Sequence, residues 1–97
     1  MYKILLMIKD SADEELIKHF RDDVINHLEK AAGVKIQIGN VDGAKLNPEP
    51  YIKICEIVFK TKDEMDKALS SPDGKKFNRN LTSFMQHVSI FFIDYGV

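Results

Sequence analysis

The chain has 97 residues, 44% of them hydrophobic, and a net charge of −1 with acids and bases interspersed. That length fits one domain over 1–97 with a core of its own, and the even charge leaves no footprint for nucleic acid. The single cysteine excludes an internal disulfide framework and fits a reducing compartment, and no run reaches the 18 apolar residues of a membrane span.

Residues 2–9 are a short apolar run closed by Lys9-Asp10, a length that suits a buried strand. The start is too short for a signal peptide and has no small-residue cleavage site, so the expectation is a cytoplasmic protein. Ser11 and Glu14 have capping-box spacing. Leu16, Phe20, Val24, Leu28 and Ala31 then recur at helical intervals, which predicts an amphipathic helix over 13–31. Gly33 is its expected terminator. Val34, Ile36 and Ile38 alternate with Lys35, Gln37 and Gly39, the period of a strand with two different faces.

The stretch 39–50 contains Asp42-Gly43 and Asn47-Pro48-Glu49-Pro50. It reads as a turn-rich connection, long enough for a lid or pocket rim. Residues 51–60 form the strongest strand pattern in the chain. Thr61 and Glu64 repeat the capping spacing and open a short helix turning Met65, Ala68 and Leu69 inward. Ser71-Pro72 places a cap before a proline at the first helical position and predicts a further helix over 73–81, presenting Phe77 and Leu81. A last strand spans 87–95. The order is the split βαβ arrangement: a four-stranded antiparallel sheet with helices on one face, an α+β fold.

Such a sheet should be polar on its uncovered face if one subunit stands alone. Here both faces are apolar. Cys55, Ile57 and Phe59 share one side of the third strand, with Ile52, Ile54, Glu56 and Val58 on the other. The last strand puts Val88, Ile90 and Phe92 on one side, Phe91 and Ile93 on the other. So large an exposed apolar patch calls for a partner. The simplest is a second copy packed sheet to sheet.

With Pro50-Tyr51 entering a strand, Ile57-Val58-Phe59 before a short helix, the run Ala68-Leu69-Ser70-Ser71-Pro72-Asp73-Gly74, and Leu81 with Ser83-Phe84 before the last strand, the chain resembles the EthD-like family of the dimeric α+β barrel (ferredoxin-like) superfamily. Phe20 in the long helix and Gly33-Val34 extend the match over nearly the whole chain. The resemblance implies a homodimer with a pocket between sheet and helices in each subunit, and no one reaction. The family usually carries His-x-Pro in the long helix. Counting back from Gly33, those positions hold Val24 and Asn26, so no acid–base role carries over.

The candidate chemistry is sparse. His27 sits at the edge of the helix stripe; it is either a proton carrier facing a pocket or a half-buried histidine on a helix flank. Glu56 is a lone carboxylate in an apolar strand, either a general base or anchor or a carboxylate paired with Lys35 or Gln37. Tyr51 and His87 stand at strand starts where they could line a pocket mouth, and Gln37 joins them as a ligand contact. His19, Asp23 and His27 have metal-like spacing, but His19 and His27 lie about 12 Å apart along the helix, so no single ion spans all three. Cys55 reads as an inert core thiol. No phosphate loop, paired-cysteine motif or nucleophile elbow occurs, and no cofactor is implied. These features predict a homodimer that binds a small, mostly apolar or aromatic molecule, with cofactor-free acid–base chemistry by His27 or Glu56. The alternatives are a non-catalytic binding or accessory module, and a barrel filled by its own side chains.

Overall fold

In a computed structural model, which describes residues 1–43 and 50–96, the chain runs β1 (Tyr2–Lys9), α1 (Glu14–Phe20), a π-turn (Arg21–Ile25), α2 (Asn26–Ala32), β2 (Ile38–Asn40), β3 (Tyr51–Phe59), α3 (Lys62–Ser70), α4 (Pro72–Leu81), a 3-10 turn (Thr82–Phe84) and β4 (Val88–Asp94). The strands make one antiparallel sheet in the order β2-β3-β1-β4. The helices pack on one face, as the element order predicts. β1 is a central strand, bonded to β3 and β4 along its length.

The core lies between sheet and helices. Ile4, Leu6 and Ile8 of β1 are wholly buried there, with Cys55, Ile57 and Phe59 beside them on β3. Phe20, Val24, Ile25 and Leu28 come down from the long helix and Phe77 from α4, each with no exposed surface. Phe20 meets Phe84 edge to face at 5.3 Å between ring centres. Gly74 lets α4 cross close behind α3, since a Cβ there would run into the backbone of Ala68 and Leu69. Gly33 ends α2 with φ of 71°, the left-handed conformation that disfavours a side chain.

Local structure departs from the sequence reading in three places. Asp13, not Ser11, caps α1: its Oδ1 accepts the Leu16 N–H at 2.8 Å, while the Ser11 hydroxyl is engaged by His87. The long helix is continuous but widens at Arg21–Ile25, where the Asn26 N–H reaches back to the Arg21 carbonyl. That wider turn allows the consecutive residues Val24 and Ile25 both to be buried. β2 is short and late, covering Ile38–Asn40 rather than starting at Val34. Glu29 is the reason: its Oε2 accepts the Ile36 N–H at 2.7 Å and its carbonyl accepts the Val34 N–H at 3.2 Å. Donors committed to the helix cannot join a ladder. Half of the expected lid over 39–50, residues 44–49, lies outside the described residues.

Candidate binding face and its edge cleft

Residues facing away from the helices line up in rows across the sheet, because antiparallel pairing sets partners side by side. One row is Val58, Lys3 and Ile93; the next is Glu56, Leu5 and Phe91; a third is Gly39, Ile54, Met7 and Ser89. The face is apolar apart from a few polar groups, and much of it meets solvent: Val58 is 50% exposed and Phe91 44%.

Glu56 stands in the middle of this face. Its Oε2 accepts a charged hydrogen bond from Lys3 Nζ at 3.1 Å, reaching diagonally from β1. Lys3 is anchored a second time, its ammonium lying 5.3 Å from the centre of the Tyr95 ring. The bond to Glu56, with help from Tyr95, holds the Lys3 ammonium above its ordinary value. The partner expected for Glu56 was Lys35 or Gln37; the register supplies Lys3 instead. Lys35 and Gln37 nonetheless stand close by. With Gly39, Ile54 and Glu56 they line a cleft of about 560 Å³ at the β2–β3 edge, open to solvent.

At the other end of the sheet, Lys9 brings two more candidates together. It lies opposite Tyr51, and its N–H donates to the His87 carbonyl at 2.8 Å. Tyr51 extends across the open face and shares a hydrogen bond with Ser89 at 3.1 Å. The His87 ring bonds the Ser11 hydroxyl through Nδ1 at 2.8 Å.

His27 is elsewhere. It lies in the helix layer, where Nδ1 meets Asp73 Oδ1 at 3.1 Å and ties α2 to the first turn of α4. The structure therefore does not bring His27 and Glu56 together, since the sheet and its core separate them. Of the metal-like run, His19 lies 3.8 Å from Glu15, and no group of three or more possible ligands comes together among the described residues. Cys55 is almost fully buried under the helices. Burial pushes its thiol up to about 12, with Arg21 opposing only in part, so it is not a thiolate nucleophile at neutral pH.

Sequence reasoning missed Lys3, Ser11, Ser89 and Gly39. Lys3 was legible in principle. Once β1 is placed antiparallel to β3, a lysine two residues before Leu5 falls diagonally beside Glu56.

Comparison with known proteins gives a fold and no more. No family model and no curated sequence matches the chain. Among solved structures, an EthD family protein from Bacillus halodurans superposes with a TM-score of 0.74 at 11% identity, over 99% of both chains. At3g17210 from Arabidopsis thaliana superposes with 0.62 at 19% identity, covering 99% of this chain and 93% of that one. HapK from Hahella chejuensis gives 0.58 at 12%, again over 99% and 93%. The chain therefore has the fold found in an EthD family protein.

Proposed function

We propose that this chain, as one domain over 1–97, forms an EthD-like homodimer in the cytoplasm, two sheets packed face to face, that holds a small, mostly apolar or aromatic molecule. One observation carries the reading: an apolar sheet face, with Val58 and Phe91 about half exposed, on a fold whose solved counterparts include an EthD family protein. At about 1.5–3 kcal/mol per large side chain taken from full exposure to burial, covering six that are already half covered contributes roughly 5–9 kcal/mol before association costs.

The edge cleft is the natural seat for the ligand. Ile54 offers an apolar floor, Gly39 leaves room above it, and Gln37 and Glu56 supply hydrogen-bonding groups at one side. Tyr51 and His87 would line the opposite end of the same chamber. Any chemistry is cofactor-free proton transfer, with Glu56 accepting a proton from the bound molecule and returning it. Native mass spectrometry of protein purified without additives tests subunit number and retained ligand together. A dimer carrying a small-molecule mass supports the proposal; a bare monomer at micromolar concentration contradicts it.

A non-catalytic binding module is the second reading, and three observations favour it. Val24, which stands where the family usually has its histidine, is wholly buried. His27 is held by Asp73 on the helix side, and Glu56 is held by Lys3. Under this reading a ligand raises the melting temperature and is recovered unchanged, and Glu56→Gln and His27→Ala leave no reaction to lose.

A further inference from the structure

The Lys3–Glu56 pair lies within the face that the proposed dimer would cover. Around it stand Leu5, Ile54, Val58 and Phe91. Glu56 is still half exposed in the single chain, at 53%, whereas Lys3 is at 19%. Only Oε2 is bonded to Lys3, and covering the face takes the rest of the carboxylate out of water as well.

We infer that the Lys3–Glu56 pair is a pH-sensitive lock on association between two copies of this chain. The inference rests on the homodimer reading and concerns how that interface is regulated. Its logic is one of net charge. With Glu56 ionised, the covered pair is neutral overall, and each charge has the other as partner. With Glu56 protonated, the same pocket holds a lone ammonium. Burying an unpaired charge is far more costly than burying a matched pair. The dimer therefore favours ionised Glu56, the separated chains tolerate the protonated form, and acid drives dissociation. Among the described residues, the charged and titratable groups facing Glu56 are Lys3 from β1, Tyr95 beyond it through Lys3, and Lys35 across the edge cleft. Each is neutral or cationic near neutral pH, and none loses charge as pH falls. A two-fold dimer repeats the pair, so dissociation takes up as many as two protons.

The sign depends on Lys3, which gives a sharp test. Sedimentation equilibrium from pH 7 down through the carboxylate range, about pH 4–5, measures the dimer dissociation constant for four proteins. For the unaltered chain the constant is flat near pH 7 and rises as pH falls through the carboxylate range, by at most about a hundredfold per pH unit, the limit for two coupled protons. Glu56→Gln is a weaker dimer at pH 7 and its constant is flat with pH. Lys3→Met inverts the trend, because acid now removes the one charge left of the pair, so this protein associates more tightly as pH falls. The double variant Lys3→Met/Glu56→Met is a dimer at every pH. Equal acid sensitivity in the unaltered chain and Glu56→Gln overturns the lock and leaves the dimer standing, as does acid weakening of Lys3→Met. A chain that is monomeric throughout overturns both. Circular dichroism at each pH separates dissociation from unfolding.

Discussion

The two faces of this sheet are made from the same kinds of residue and meet different fates. On β1, Ile4, Leu6 and Ile8 face the helices and are wholly buried, while Lys3, Leu5 and Met7 between them face outward and are only partly covered. On β3 the alternation is as regular, with Cys55, Ile57 and Phe59 buried and Glu56 and Val58 exposed. No polar or charged side chain is buried among the described residues, so the core under the helices is apolar throughout. The open face is apolar too, but it contains the one ion pair between strands among the described residues. A face that only excludes water needs no such pair. A face that must meet one partner in one register gains from it, because a misplaced partner would bury a charge.

Substitution of adjacent residues on β1 breaks this comparison most sharply. Leu6→Ala empties volume in a filled core and should cost about 2–5 kcal/mol at any protein concentration, read by denaturant unfolding. Leu5→Ala removes the same atoms from the open face. Its destabilisation should be smaller and should depend on concentration, because the loss comes through association. Equal, concentration-independent losses would mean that the two faces do not differ in the way described.

A charge on the open face is the next test. Phe91→Lys should abolish association, giving a monomer by light scattering, while the far-ultraviolet spectrum stays that of the folded chain. The covered side is sharpened by Cys55. With its thiol raised to about 12 by burial, Cys55 should resist iodoacetamide at pH 8 and label only as the chain unfolds. The sign for stability follows. The folded chain keeps the thiol proton after the unfolded chain has lost it, so this group lowers stability as pH rises above the ordinary thiol value. Smaller effects belong to the helix layer. Ser71→Ala removes the hydroxyl that caps α4 by accepting the Gly74 N–H at 3.1 Å, and should cost about 1 kcal/mol. His27→Ala loses one partly exposed bond to Asp73, worth about 0.5–1.5 kcal/mol, and should not alter subunit number.

Much of this architecture was legible in the sequence because it rests on short-range signals. Thr61 and Ser71 cap the helices they were expected to cap, accepting from Glu64 and Gly74, and Gly33 ends the long helix. The period-2 pattern assigned Cys55, Ile57 and Phe59 to one face and Glu56 to the other, as the structure has them. What the sequence hid depends on contacts between distant elements. Ser11 has the spacing of a cap, yet His87, 76 positions away, engages its hydroxyl. Val34-Lys35-Ile36 alternates like a strand, but Glu29 takes its donors from the helix side. For the candidate site the same rule holds. The residue types were visible, but that Gln37 shares a cleft with Glu56 and that His27 lies on the far side of the core are facts of register and layer.

Subunit mass in solution tests the central claim most directly. Static light scattering on a column eluate at neutral pH should return twice the 11.1 kDa of one chain, stable on dilution into the low micromolar range. A mass of 11.1 kDa at tens of micromolar would contradict it, leaving the open face without its proposed partner and the edge cleft without the wall that closes it.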